Sequence, residues 1–343
     1  MRIIVDVMGG DNAPGELVKG AVQAAELYSA NYILVGDRTA IEAVAAEQGY
    51  DLSRFEIVHT ESVICMEDDP ISVVRAKRDS SMGVGLQMLA DGRGDAFVST
   101  GNTGALFTGA TLIVRKIKGI QRAAIASVLP FSTPVLLLDS GANLTVTPDQ
   151  LVQFSMMGSI YMQNLFNLFS PRVGLLNNGI EACKGTALQL GAYEKLLADE
   201  SVNFVGNIEA SRIPHNACDV LVTDGFTGNI VLKYTEGMGK MMIGTLKGMF
   251  KANTLTKMSA LLVKGQLGEI KHTFDASEYG GAPFLGISRP VIKAHGNSNA
   301  KAFRNAIRQA IDYVNTGVTY DIARAIGEIK QAENAEREEK SNG

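Results

Sequence analysis

Five turns rich in glycine and small polar residues carry the side chains of this sequence that are best suited to chemistry. They lie at residues 9–12, 99–104, 139–143, 177–179 and 223–229, and each follows a short apolar run. Successive backbone N–H groups in such turns form concave sites for anions, above all where a turn leads into a helix. A single glycine turn is a weak signal, because glycine is often present only for a positive φ. The five together predict a pocket for phosphate or a phosphorylated ligand, with contacts from Gly9, Gly10, Asp11, Asn102, Thr103, Gly104, Asp139 and Asn143.

Basic residues near these turns complete the prediction. Arg75, Lys77 and Arg78 are spaced within one helical turn, and Lys184 follows the 177–179 turn. A bound phosphate needs cations as well as amides; lysine supplies a point charge and arginine a bidentate fork. We assign Arg75 and Lys77 to substrate binding on this ground. The same spacing also fits a solvated helix face, and Lys184 also fits a surface lysine at the start of a helix.

A sixth unit of strand, turn and helix lies in the last third of the chain. Residues 291–298 read VIKAHGNS and precede a helical stretch at 300–313. His295 in this turn suits either a general acid or base, or a packed turn histidine. Asn297 is a further candidate for substrate contact. The segment GNSNA lacks the last glycine of a GxSxG nucleophile elbow, so a nucleophilic Ser298 is not favoured.

The apolar runs before the turns are typical of strands that are buried on both faces of a sheet. They lie at 3–7, 96–98, 135–138, 173–176 and 220–222, and helix-like stretches separate them. This alternation predicts an α/β fold with a parallel sheet, in which the turns gather at one carboxyl-terminal edge.

Capping signals predict three of the helices. Pro14 after Asp11-Asn12 starts a helix over about 16–28, and Asp69-Pro70 starts one that runs through Lys77. Ser80-Ser81 caps a third helix that ends at Asp91-Gly92.

Composition excludes several classes of protein and site. A hydrophobic fraction of 46% in 343 residues is typical of one large globular domain or of two. The net charge of −4 does not favour nucleic acid. Because GxxxxGK(S/T), GxGxxG, HExxH and CxxC are absent and the four histidines are scattered, no cofactor or metal is expected. Three cysteines without metal spacing, and no apolar stretch of about 18 residues, indicate a cytoplasmic protein without a membrane span.

Two segments differ from the rest of the chain. Residues 237–268 contain no Asp or Glu but five lysines, and their Met, Leu and Phe residues fall near helical spacing. This pattern fits a helical hairpin packed in the core, a dimer contact, or a surface that docks on a membrane or a partner protein. Residues 331–343 are charged, lack bulky apolar side chains and are predicted to form a solvated helix end or a frayed tail.

Eight ordered motifs between Met1 and about Tyr313 closely resemble those of the bacterial phosphate acyltransferase family, PlsX. They are DVMGGDNAP (6–14), RAKRDSSM (75–82), STGNTGAL (99–106), LDSGAN (138–143), LLNNGIEACKG (175–185), DGFTGNIVLK (224–233), YGGAPFLG (279–286) and AHGNSNA (294–300). Residues 209–213, EASRI, depart from the EGRDI that is usual in that family, which weakens any role for Arg212.

The resemblance implies a fold, a reaction and partners. The fold is a three-layer α/β/α catalytic domain over 1–330, similar to phosphotransacetylase and isocitrate dehydrogenase, with a helical protrusion at about 237–268 and the charged tail at 331–343. The reaction moves a fatty acyl group from acyl carrier protein to inorganic phosphate and gives acyl phosphate for phospholipid synthesis. The resemblance also implies a homodimer, and the reaction requires no cofactor. Peripheral contact with an anionic membrane is predicted separately, from the lysine-rich and acid-free segment at 237–268 of this otherwise cytoplasmic protein.

Residue chemistry and resemblance agree on one mechanism. Phosphate attacks the thioester carbonyl, and the oxyanion that forms needs a hydrogen-bond donor or a cation. Lys184 and Asn229 are candidates for this role, and His295 is the third catalytic candidate.

Two alternative functions belong to other classes of protein. One is a decarboxylating, NAD-dependent dehydrogenase, for which Asp219 and Asp224 make a poor Mg²⁺ cluster. The other is a non-enzymatic module that binds membranes or carrier protein through residues 237–268.

Overall fold

The computed structural model describes residues 1–263, 265 and 280–342 of the chain. Within these residues the strands are β1 (Arg2–Asp6), β2 (Asn31–Gly36), β3 (Phe55–His59), β4 (Ala96–Ser99), β5 (Ala124–Leu129), β6 (Val135–Leu138), β7 (Arg172–Asn177), β8 (Asn203–Glu209), β9 (Val220–Val222), β10 (Ala282–Leu285) and β11 (Val291–Lys293). The helices are α1 (Gly15–Leu27), α2 (Arg38–Gln48), α3 (Ser81–Ala90), α4 (Thr103–Gly109), α5 (Pro148–Phe166), α6 (Ala187–Ala198), α7 (Gly225–Lys251), α8 (Thr254–Leu262), α9 (Ala300–Asn315) and α10 (Val318–Asn342).

The described strands form one sheet with the order β3-β2-β1-β4-β11-β10-β5-β6-β9-β7-β8. Most neighbours are parallel, which confirms the predicted fold class. Three successive pairs, β11 with β10, β10 with β5, and β5 with β6, are antiparallel. Because the strand direction reverses three times between β11 and β6, strands β6, β7, β8 and β9 run opposite to β1, β2, β3, β4 and β11. The prediction that all the turns share one edge of the sheet is therefore wrong.

Alternate residues of each strand pack on opposite faces of the sheet. Ile3 and Val5 of β1 belong to a buried cluster with α1 and α9, whereas Ile4 between them belongs to a cluster with α3 and α4. In the second half of the sheet, Leu136 packs with α5 and Leu137 packs on the side of α7. Helices thus cover both faces, and the domain has the three layers that the resemblance implied.

Three of the four helices with predicted bounds are present in the structure. α1, α3 and α9 lie close to the expected positions, and Ser80 accepts a hydrogen bond from the Gly83 N–H as its cap. The helix from Asp69 through Lys77 is wrong, because Pro70–Val74 forms only a short 3₁₀ turn. Arg75 has φ −125° and ψ −101°, outside the helical region, and the Lys77 ammonium turns back to the Val63 carbonyl and to Asp68. Arg75, Lys77 and Arg78 therefore do not share a helical face.

The 237–268 segment corresponds to the outer part of α7 followed by α8. α7 begins at Gly225 and runs without interruption past residue 237. The start of the 237–268 segment is therefore not the start of a helix. Residues 264 and 266–268, with Lys264 among them, lie outside the described residues, as does Tyr279 of the YGGAPFLG motif. At the C-terminus α10 continues to Asn342. None of the described helices is long and apolar enough to cross a membrane.

Candidate active site

Three of the predicted turns pack against one another where β1, β4 and β11 end. The Asp11 N–H donates to the Gly296 carbonyl at 2.8 Å, and Asn12 Nδ2 donates to the Asn297 carbonyl at 3.1 Å. The Thr100 hydroxyl donates to the Gly9 carbonyl. Gly10 has a φ of +85°, and a Cβ there would lie 2.6 Å from the Gly296 carbonyl oxygen, so only glycine fits. The 9–12 turn thus supports the turns at 100–104 and 294–298 from behind.

The turn at 139–143 is built around the carboxylate of Asp139. This buried carboxylate accepts hydrogen bonds from the N–H groups of Gly141, Ala142 and Asn143, at 2.7–3.0 Å. Asn143 Nδ2 donates to the same carboxylate and to the Ala123 carbonyl. Burial raises the pKa of Asp139, and these hydrogen bonds oppose the rise. Asp139 and Asn143 therefore shape the turn from inside, and it is Ser140 and Gly141 that reach the cleft described next.

A cleft of about 370 Å³ lies where the two halves of the sheet meet. Its walls come from the first turn of α4, the turn after β6, one side of α7, and the end of β11 with the turn that follows it. The polar residues that line it are Thr103, Ser127, Ser140, Asn229, Lys233, Thr235, Glu236, Lys293 and His295. Ile125 and Val128 of β5 form its apolar wall.

α7 enters this cleft because its first turn packs tightly on the 139–143 turn. Asp224 caps the helix by accepting from the Thr227 N–H at 2.8 Å. A Cβ at Gly228 would lie 1.9 Å from the Asp139 carbonyl oxygen, so the close approach requires glycine. Asn229 is the next residue, is exposed, and lies beside Gly141. Its side-chain amide makes no hydrogen bond within the described residues and is free to bind a ligand.

The farther turns of α7 and the end of β11 supply a cluster of charged groups. Lys233 Nζ lies 3.0 Å from Glu236 Oε2, and His295 Nε2 lies 3.8 Å from Glu236 Oε1. His295 is about half exposed. The surrounding protein lowers its pKa through desolvation, and Lys233 and Lys293 act in the same direction, whereas Glu236 opposes them. The neutral imidazole is thus favoured near neutral pH, as a proton acceptor requires.

Lys293 is the deepest cation of the cluster. Its ammonium donates to the Thr100 carbonyl at 3.1 Å and to the Ala294 carbonyl. Burial lowers the pKa of Lys293 to about 8, with a smaller contribution from Lys233; Asp6 and Asp11 act against the shift. The cleft therefore holds two lysines against one glutamate and can receive an anion.

Several predicted site residues do not line the cleft. Lys184 lies in an exposed loop after β7, whose base is closed by a 3.0 Å hydrogen bond from Asn177 Nδ2 to the Lys184 carbonyl. Lys77 is paired with Asp68 at 2.5 Å, and Arg75 is exposed on the neighbouring segment. Asn102 caps α4 through the Ala105 N–H.

The remaining polar residues that line the cleft had escaped the sequence prediction. Lys233, Glu236 and Lys293 lie inside a helix and a strand, whereas the prediction rested on the turns. The sequence signal for the two lysines is their place at two motifs, since Lys233 ends DGFTGNIVLK and Lys293 directly precedes AHGNSNA.

The acidic residues that were weighed for a metal have other partners. Asp219 binds the guanidinium of Arg172 at 2.8 and 3.1 Å, and Asp224 caps α7. Among the residues that the structure describes, no three His, Cys, Asp or Glu side chains form a group suited to a metal ion.

Comparison with known proteins agrees with this architecture. Residues 1–321 match the family described as "Fatty acid synthesis protein". The phosphate acyltransferase of Alkaliphilus oremlandii is 43% identical over 330 residues, which cover 96% of this chain and 98% of that protein. The phosphate acyltransferase of Clostridioides difficile is 42% identical over 333 residues, with 96% and 98% covered.

Solved structures share the fold at much lower sequence identity. A phosphotransacetylase from Streptococcus pyogenes superposes with a TM-score of 0.61 at 16% identity, covering 92% of this chain and 94% of that one. A branched-chain phosphotransacylase from Enterococcus faecalis gives 0.54 at 15% identity, with 92% and 100% covered. The extent of the sequence match sets aside the dehydrogenase alternative and confirms the resemblance of the eight motifs. The chain belongs to the family of these phosphate acyltransferases.

Proposed function

We propose that this chain transfers a fatty acyl group from acyl carrier protein to inorganic phosphate in the cleft between α7 and β11, for phospholipid synthesis. The observation that supports this site is the cluster of Lys233, Lys293 and His295 in one cleft with Asn229 and Thr103. The cations favour the phosphate dianion, and the neighbouring amide and hydroxyl groups can orient its oxygens. The turns at 9–12, 101–104 and 294–298 hold this arrangement in place.

The reaction needs no covalent enzyme intermediate. An oxygen of HPO₄²⁻ attacks the thioester carbonyl carbon, and the carbonyl becomes a tetrahedral oxyanion. Collapse of this intermediate breaks the C–S bond and leaves the acyl group joined to phosphate through oxygen. The phosphate proton goes to the leaving thiolate, so acyl phosphate and a free thiol are the products. Positioning and stabilisation of the oxyanion supply most of the rate, because thiolate is already a good leaving group.

The side chains of the cleft divide these tasks. Asn229 donates its amide N–H groups to the oxyanion from the first turns of α7. His295 accepts the phosphate proton as the neutral imidazole and passes it to the thiolate. Lys184, which is exposed on the loop after β7, contacts the thioester of a bound carrier protein. Arg75 stays a proposed contact for the carrier or its substrate, at the outer surface of the site.

The product assay tests this function. Purified protein with long-chain acyl carrier protein and phosphate should release free thiol and form an acyl phosphate that hydroxylamine traps as the hydroxamate. Both signals should require phosphate and appear in equal amounts. Thiol release without hydroxamate would mean simple hydrolysis, and no release at all would refute the proposal. The same assay with acyl coenzyme A measures selectivity for the carrier.

We further propose that a second copy of the chain covers an apolar groove along α7. The groove has a volume of about 660 Å³, and its described lining residues carry no charge. Ile230, Tyr234, Met238 and Met242 line one side, and the 3₁₀ turn Ala210–His215 lines the other. An apolar stripe of this kind on a helix is typical of homodimer interfaces.

The outer end of the α7–α8 pair is the proposed membrane contact. Met249, Leu255 and Met258 expose 61%, 76% and 62% of their surface. Lysines flank them, and the segment contains no acidic residue. Apolar side chains can enter the acyl boundary while each lysine near an anionic leaflet contributes about 1 kcal/mol. Docking of the protein from the cytoplasm would release the amphiphilic product close to its destination.

A further inference from the structure

Lys293 is a cation whose described partners are all uncharged. Its two acceptors are the backbone carbonyls of Thr100 and Ala294, and no ion pair among the described residues includes it. The nearby Asp6 carboxylate is already bound by the Ser99 hydroxyl at 2.7 Å and by the Met8 N–H at 3.1 Å. A partly buried ammonium that forms no ion pair is costly, and it gains most from an anion that enters the cleft.

We propose that Lys293 is the residue that binds the attacking phosphate, with its ammonium fixed by the two carbonyls and its remaining N–H directed to the anion. The proposal rests on the function proposed above and adds a residue to it. Lys233, which lines the same cleft from α7, supplies the second cation. Because the Thr100 and Ala294 carbonyls hold the ammonium, little side-chain entropy is lost when phosphate binds.

The groups around Lys293 determine how binding depends on pH. Asp6 and Asp11 face it from β1 and the turn after it, Lys233 faces it from α7, and His295 follows it on its own strand. Glu236 is shared between Lys233 and His295. The pKa of His295 is lowered from its ordinary value, so this group stays neutral above pH 7. Burial lowers the pKa of Lys293 to about 8, so this lysine is the group whose charge we expect to change above neutral pH.

The sign of the effect follows from the charge. Below its pKa Lys293 is an ammonium and attracts the anion, and above its pKa it is a neutral amine and does not. Anion affinity should therefore fall as the pH rises through about 8. If only the ammonium form binds, the loss between pH 7 and pH 9.5 is about 30-fold. A bound anion also holds the proton on Lys293, so binding near pH 8.5 should take up protons from the buffer.

Sulfate is the probe, because it remains a dianion over this whole range whereas phosphate changes charge near neutrality. Sulfate binding to the full chain is measured by calorimetry from pH 7 to pH 9.5, in two buffers that differ in ionisation enthalpy. We expect the roughly 30-fold loss and the proton uptake for the wild type. Lys293→Arg should bind sulfate with no pH dependence, because guanidinium stays charged. Lys293→Met should bind sulfate weakly at every pH. Lys233→Met should bind sulfate less tightly than the wild type, but its affinity should depend on pH in the same way.

Two results would overturn the assignment: a pH-independent wild type, or a folded Lys293→Met protein that binds sulfate as the wild type does. Circular dichroism and the melting temperature show whether each variant is folded. If Lys293→Met does not fold, Lys293→Arg still decides the test, because it should bind sulfate without pH dependence. In the acyl transfer assay, Lys293→Met should raise KM for phosphate at least tenfold and leave KM for acyl carrier protein unchanged. If the wild type binds sulfate with the expected pH dependence but forms no acyl phosphate, the proposed function is refuted and the anion site at Lys293 is not.

Discussion

Replacement of Asn229 by alanine should affect catalysis and stability in opposite directions. The side chain is exposed on the fifth residue of α7 and makes no hydrogen bond within the described part of the chain. Its removal leaves no buried group unpaired, and alanine has the higher helix propensity, so stability should rise by about 0.5 kcal/mol. Loss of one oxyanion donor should lower kcat about 10²–10³-fold, which is about 2.7–4 kcal/mol of transition-state stabilisation.

The assay is phosphate-dependent thiol release at saturating substrates, together with urea unfolding of the same preparations. Thr245→Ala is the matched control, because Thr245 is exposed on the same helix, lies outside the cleft and gains similar helix propensity. We expect the control to match the wild type in kcat. A folded Asn229→Ala variant with wild-type kcat would refute the role given to this amide, and a variant less stable than the wild type would contradict the predicted gain in stability.

Three further changes test other parts of the account. Lys184→Ala should lower kcat about 10²–10³-fold with an unchanged melting temperature. Lys195→Ala, the control at an exposed ion pair with Asp149, should keep the wild-type kcat. If the two variants are equally active, Lys184 has no role in the mechanism. Gly228→Ala should destabilise the fold by about 1–3 kcal/mol in urea unfolding, since its Cβ would overlap the Asp139 carbonyl; an unchanged midpoint would show that α7 can shift. Leu255→Glu should abolish flotation with anionic vesicles and leave the proposed dimer intact in light scattering. If the wild type never floats and the variant is monomeric, this segment is the dimer interface instead.

Local patterns in the sequence were enough to predict an α/β fold whose strands are buried on both faces of the sheet. Apolar runs such as 135–138 and 220–222 are buried on both faces, as continuous β-branched and leucine-rich strands should be. The reversal through β10 and β5 was not predictable, because pairing between strands that are far apart in sequence leaves no local signal. That reversal places the turns at two edges of the sheet, and the cleft lies where α7 and the turn after β6 meet α4 and the end of β11.

The cleft brings together three of the predicted residues, Thr103, Asn229 and His295. Asp139 and Asn143 were predicted from a glycine-rich turn as well, but the Asp139 carboxylate binds the backbone N–H and the side chain of Asn143. Lys233, Glu236 and Lys293 line the cleft from a helix and a strand, where no turn pattern marks them. A carboxylate or amide in a glycine-rich turn can bind a ligand or its own backbone, and composition does not distinguish the two.

The most direct test of the account is a crystal structure of the protein soaked with phosphate at a concentration that saturates the enzyme in solution. We expect one phosphate in the cleft between α7 and β11, with oxygens within hydrogen-bond distance of Lys293 Nζ and close to Asn229. Phosphate bound only at the exposed Arg75 segment or the Lys184 loop, with the cleft empty at that concentration, would contradict it.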